Sequence, residues 1–193
     1  GYHTAADGML TQAMAIAQQL GDQRLLGTVL VGKAFNHCFY MEMPETLDSG
    51  LRAAELLRSV GDLWELARVL WGTQVALLLL CRFDEVAEMG EELEPLATRL
   101  GHLGALLSAR RSRSLRELML MADLDRYEEF ARGDLEFCSS AGMPWISHSH
   151  SYLGLAHFWR GRWQEALGHF QEAVKLESLG PFAGSDWVLL FLW

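Results

Sequence analysis

The sequence predicts an all-α protein built as a solenoid of antiparallel helix hairpins, and three observations predict it. A glycine turn recurs at Leu20-Gly21-Asp22, Val60-Gly61-Asp62, Leu100-Gly101-His102, Ala141-Gly142-Met143 and Leu179-Gly180-Pro181, placing the glycines 40, 40, 41 and 38 residues apart. A second break falls near the middle of each period, at Met43-Pro44, Cys81-Arg82, Asp123 and Gly161. The stretches between the breaks are rich in Ala, Leu, Glu, Gln and Arg, all good helix formers, and the 193 residues contain only four Pro. A fixed period of this length marks a repeat array, in which each unit buries its apolar face against its neighbours.

The elements follow in chain order. Residues 5–19 read as a second helix (B) without its partner, a half-repeat over 1–20. Repeats are expected at 21–60, 61–100, 101–141 and 142–179, with a partial repeat at 180–193, all within one solenoid domain spanning 1–193. First helices (A) are expected at 22–41, 62–80, 102–121 and 144–160, and second helices (B) at 45–59, 84–99, 125–140 and 163–178. Each glycine suits a helix C-terminus, where a left-handed residue closes the last turn. Asp22 and Asp62, next in line, suit the N-cap of the helix that follows.

The B helices are amphipathic. Leu47, Leu51, Ala54 and Leu57 form one apolar stripe and Val86, Leu93 and Leu96 another. Asp84, Glu85, Glu88, Glu91, Glu92 and Glu94 form an acidic face that reads as solvated. The A helices, such as Val69 through Leu80, are apolar on more sides and are expected inside the stack. Residues 185–193 read as the start of a further A helix, apolar and with no B helix to cover it. Both ends fall inside a repeat, so a longer parent chain is expected, or a second copy covering the apolar end.

The fourth unit carries the most specific pattern: Leu153-Gly154 and a ring in helix A, Gly161 at the turn, then Trp163, Ala166, Phe170 and Ala173 in helix B. Small residues at Gly154, Ala166 and Ala173 would let the helices approach, with Trp163 and Phe170 filling the grooves between them. This segment resembles a tetratricopeptide repeat. Phe83-Asp84-Glu85-Val86 parallels Trp163-Gln164-Glu165-Ala166, and Leu124-Asp125-Arg126-Tyr127 does so more loosely. The period near 40 exceeds the family's usual length of about 34 residues, which implies longer A helices. Long degenerate repeats of this kind occur in large bacterial signalling ATPases, nucleotide cyclases and transcriptional activators. The resemblance implies a right-handed superhelix whose A helices line a concave side and meet a protein or peptide partner.

Carrying that face over from the fourth unit selects Lys33, Asn36 and Tyr40, then Arg68, Trp71 and Val75, then Ser112, Arg113 and Arg116, then His148, Ser151, Leu155 and Trp159. Such a face is basic and lined with rings, and it suits a peptide bearing acidic groups. The plainer reading is that Arg110, Arg111, Arg113 and Arg116 neutralise the acidic helix around Glu91 to Glu94. His148 and His150 are two residues apart, which points them in different directions on a helix and argues against a shared metal. No nucleophile, base and orienting acid assemble, so no enzyme, cofactor or metal is expected.

Composition narrows the class further. Half the residues are hydrophobic, with seven Trp and nine Phe, enough for a continuous core. A net charge of −9 and a pI near 5.2 disfavour nucleic acid. Three Cys without a CxxC pair point to a reducing cytoplasm. The apolar run Val75 to Cys81 is far short of the roughly 20 residues that span a membrane. The expectation is a non-enzymatic scaffold or sensor segment of a larger bacterial regulator. The alternatives are a small-ligand sensor controlling an attached domain, or a module that self-associates through its apolar C-terminal helix.

Overall fold

The computed structural model describes residues 2–143 and 145–178, and it is helical throughout with short turns. The order is α1 (Tyr2–Leu20), α2 (Gln23–Phe39), α3 (Met43–Val60), α4 (Leu63–Leu79), α5 (Phe83–Leu100), α6 (Leu103–Met121), α7 (Leu124–Ser140), α8 (Ile146–Trp159) and α9 (Trp163–Ser178). No strand occurs among the described residues. The expected A helices are α2, α4, α6 and α8, and the expected B helices are the odd-numbered ones. The turn at Gly180 and the apolar stretch 185–193 lie outside the described residues.

The turns explain where each helix stops. Gly21, Gly61, Gly101 and Gly142 hold φ of 66°, 71°, 67° and 60°, the left-handed region that glycine takes freely. The next helix is then capped. The Leu25 N–H donates to Asp22 Oδ1 at 2.9 Å and the Glu65 N–H to Asp62 Oδ1 at 3.3 Å, as the sequence suggests. In the third unit the Ala105 N–H donates to His102 Nδ1 at 3.2 Å, so an imidazole stands where the first two units use a carboxylate.

The A-to-B turns use the same backbone conformation with different residues. Met41, Cys81 and Ala122 have φ of 60°, 57° and 52°, and only the fourth unit places a glycine there, Gly161 at 73°. The first of these turns therefore centres on Met41 rather than on Met43-Pro44. Pro44 sits in the first turn of α3, where a proline's missing N–H leaves no hydrogen bond unmade.

Two compact units emerge, Gly1–Arg116 and Glu117–Trp193, with α6 beginning in the first and ending in the second. In the N-terminal unit, packing runs between α1 and α2, α2 and α3, α3 and α4, and α4 and α5, and α2 also reaches α4. Its core joins Val31 and Ala34 of α2, Ala53 and Leu57 of α3, Val69 and Leu70 of α4, and Leu93 of α5, all essentially inaccessible to solvent. In the C-terminal unit α7 packs on α8 and α8 on α9. Ala166, Phe170 and Ala173 are buried as the motif implies, and a Cβ on Gly154 would meet the Phe170 ring at 2.7 Å. Trp163 departs from expectation. It is 65% exposed and rests edge-on against Phe158 at 5.7 Å, because it opens α9 beside the Gly161 turn instead of reaching between helices.

Candidate protein-interaction face

The solvent-facing side of α4 is a stripe at helical spacing, Trp64, Arg68, Trp71, Val75 and Leu79, while the residues between, other than the half-buried Glu65, are buried. Trp71 meets Phe35 of α2 edge-on, with centroids 5.5 Å apart and planes at 76°. The Arg68 guanidinium carbon lies 5.8 Å from the same Phe35 ring, and Phe39 follows at 6.3 Å. The N-terminal unit thus carries a run of rings from Trp71 through Phe35 to Phe39. Gly72 sits 3.6 Å from Phe35 when given a Cβ, so α2 and α4 come close enough for rings on one helix to rest on the other.

Phe35 is the member the sequence reading missed. Counting back six positions from the turn residues Met41, Cys81 and Gly161 gives Phe35, Val75 and Leu155, and that register was available in the sequence. Lys33 and Asn36 stand eight and five positions before Met41, whereas Arg68 and Trp71 stand thirteen and ten before Cys81. Lys33, two residues from Phe35, therefore faces elsewhere on α2. Its Nζ lies 3.4 Å from Asp7 Oδ1 of α1. There it lines an open cleft of about 380 Å³ with Met14, Leu30, His37, Asp48 and Arg52. Asn36 is half-buried, and its Nδ2 has no hydrogen-bond partner. Tyr40 is exposed at the end of α2.

The arginines of the expected face have internal carboxylates. Arg68 Nη2 is 2.9 Å from Glu65, Arg113 Nη1 donates to Glu94 at 2.7 Å, and Arg110 Nε donates to the same Glu94 at 3.3 Å. Arg116 Nε donates to the Phe83 carbonyl at 2.7 Å. The plainer reading of α6, arginines set against acidic α5, is what these contacts describe for Arg110 and Arg113. Ser112 is buried and presents no surface.

In the C-terminal unit, Ser151 is fully buried and donates to the Ser147 carbonyl at 3.1 Å, and Leu155 is buried too. His148 is half-buried. Trp159 is 59% exposed, at the end of α8. The structure does not bring His148 and His150 together as a pair of ligands. His150 instead approaches His169 of α9, Nδ1 to Nδ1 at 3.0 Å, and His157 stacks on the other side of His169 at 5.3 Å and 16°. Burial first, then the charges of His150, His157 and Arg132, push His169 down to about 4, against the pull of Glu165. Burial also lowers His150, opposed by Glu172, and lowers His157, where Arg162 adds to the effect. Among the described residues no group of three or more His, Cys, Asp or Glu has the arrangement of a metal site.

Beside this column Glu128 of α7 collects three arginines. Arg132 donates at 2.5 Å, Arg160 Nε lies at 2.7 Å, and Arg162 is in close contact. Burial alone would raise the Glu128 carboxyl, but hydrogen bonds from Arg132 and Arg162 and their charges outweigh it and hold the group at about 2. This network ties α7 to the α8–α9 turn, a structural task unforeseen from the sequence.

Residues 147–178 match the tetratricopeptide repeat family model. The matched stretch is the one whose Gly154, Ala166, Phe170 and Ala173 pack as that motif implies. No curated protein matches the chain. Among solved structures, the chain is similar to BtubC (BKLC) from P. vanneervenii, with a TM-score of 0.68 at 18% identity, over 93% of this chain and 74% of that one. The chain is a tetratricopeptide-like helical-repeat protein. Repeats of this kind support a general role in protein interaction, and the fold is typically non-catalytic. No helix among the described residues is long and apolar enough to cross a membrane.

Proposed function

We propose that this chain is a non-enzymatic interaction scaffold, a segment of a larger bacterial regulatory protein working in the cytoplasm, that docks a peptide or neighbouring domain on its A helices. The observation that carries the reading is the ring run Trp71, Phe35 and Phe39 with Arg68 beside it, half-open to solvent on α2 and α4. Aromatic and Arg side chains grouped in this way are the usual anchors of an interface. An acidic partner has to displace Glu65 and Glu94 from their arginines, so the rings supply the main contact and the charges adjust it. Tyr40 and Trp159 extend the same kind of surface at the ends of α2 and α8, each within its own unit.

The test uses a photo-reactive phenylalanine at Val75, which lies on the same stripe. It should capture a partner from cell extract, and Trp71→Ala should abolish capture while helicity by far-ultraviolet dichroism stays unchanged. Equal capture by the variant would falsify this face. A sensor reading is favoured by one feature, the cleft around Lys33 and His37, where Glu45, Asp48 and Arg52 set charges of both signs beside Met14 and Leu30 and suit a small charged metabolite with an apolar part. A ligand there raises the melting temperature with concentration, and a flat response across charged metabolites removes the reading.

A further inference from the structure

We propose that the A-to-B turns of the N-terminal unit form a second docking edge, and that its partner is the apolar face of an amphipathic helix flanked by Lys or Arg. Phe39, Tyr40 and Met41 close α2, while Leu79, Leu80 and Cys81 close α4, and all six are exposed. Phe39 is 70%, Met41 61% and Leu79 48% accessible. Single exposed apolar residues are ordinary on any surface, but three in a row at two equivalent turns are a pattern.

The backbone supplies a second, independent observation. Met41 and Cys81 occupy φ of 60° and 57°, a conformation that disfavours side chains, while the equivalent position in the fourth unit is Gly161. A thioether and a thiol therefore stand exposed where glycine would fold with less strain. Ala122 holds the same conformation with only a methyl group, so it is the strain combined with an exposed sulfur side chain that points to a use at Met41 and Cys81. Methionine suits that use, since its flexible thioether adapts to varied apolar partners.

Charge selects the partner. The edge is followed at once by the acidic starts of α3 and α5, with Glu45, Asp84 and Glu85 in their first turns and Glu42 at the N-cap of α3, where it already meets His37 Nδ1 at 2.6 Å. Arg82 is occupied by Glu85 through two hydrogen bonds of 2.6 Å. Asp84 is 98% exposed, and Arg116 lies 3.9 Å from it. These carboxylates also favour the helix N-termini they occupy, yet that benefit does not neutralise them toward a partner. An apolar strip with an acidic margin attracts cationic flanks and repels both anionic lipid and a second copy of a chain with net charge −9. The edge shares Phe39 and Tyr40 with the first surface and Leu79 ends the α4 stripe, but Met41, Leu80 and Cys81 are its own and Trp71 lies outside it, so Trp71→Ala tells the two surfaces apart.

The experiment titrates two labelled peptides of roughly 14 residues, one an amphipathic Leu/Lys helix and the other its Leu/Glu counterpart, into the whole chain at about 0.15 M salt, followed by anisotropy. The Leu/Lys peptide should bind at least about tenfold more tightly than the Leu/Glu peptide. Leu79→Ser with Leu80→Ser should remove that binding, and Trp71→Ala should leave it unchanged. Met41→Gly should raise the melting temperature and yet weaken the peptide, and those opposite signs separate a docking role from a purely structural one. Equal binding of the two peptides overturns the proposal. So does a Met41→Gly chain that is more stable and binds equally well, or a dimer of the chain that Leu79→Ser with Leu80→Ser dissolves.

Discussion

Ala122 holds a φ of 52° with a methyl group attached. A left-handed non-glycine residue costs roughly 1–2 kcal/mol, and glycine gives back part of any gain through its larger unfolded-state freedom, about 0.5–1 kcal/mol. Ala122→Gly should therefore stabilise the chain by about 0.5–1 kcal/mol, read as a higher urea midpoint with an unchanged slope. A lower midpoint contradicts the assignment of the turn. The same residue shows why three of the eight turns between the described helices are hard to read. Gly21, Gly61, Gly101 and Gly142 announce positive φ by their identity, whereas Met41, Cys81 and Ala122 adopt it without any letter in the sequence saying so. His102 is similar, since it caps α6 through a ring nitrogen while stacking on Trp64 at 4.3 Å, a task the sequence reading reserves for aspartate.

Between elements, the His150, His169 and His157 column joins α8 to α9 in its neutral form. All three are held below the ordinary histidine value by burial first, and His169 lies at about 4. The unfolded chain therefore takes up protons before the folded one does. Stability from the column is complete above about pH 6.5 and drains as pH falls from there toward 4. Arg132 and Arg162 press from α7 and the α8–α9 turn against a second positive charge, while Glu165, Glu172 and Glu128 partly offset them. Glu128 works in a lower window, since a carboxyl held at about 2 loses its contribution only below about pH 4.5. Lowering pH from 7 to 5 should cost about 1 kcal/mol after allowing for partial exposure, and His169→Gln should remove much of that slope. An identical slope in the variant excludes the column as its source.

Across the whole molecule, packing between neighbours means that damage stays local. Gly154→Leu drives a side chain into the Phe170 ring and should cost about 1–3 kcal/mol. Hydrogen exchange should then quicken over 146–178 while 23–79 keeps its protection, and uniform loss over both stretches contradicts this account. The helices are largely legible in the sequence because period, glycine stops and apolar stripes all act within one or two neighbouring helices. The candidate face is less legible because it depends on register, where a shift of two residues turns a side chain to the far side of a helix. Lys33 and Phe35 show the difference, one against Asp7 and the other against Trp71. Ion pairs such as Arg113 with Glu94 join residues 19 apart, which no local pattern announces.

The B-to-A turns have a consequence for how such chains arise. At Gly21, Gly61 and Gly101 a few residues both end one helix and begin the next, and nothing lies within 4 Å of the position a Cβ would take. A tandem duplication or deletion of one period that starts at any of these glycines carries its own stop and its own cap. Recombination can therefore lengthen or shorten the array without inventing a junction, and divergence in each copy is then free to spend itself on the exposed stripes.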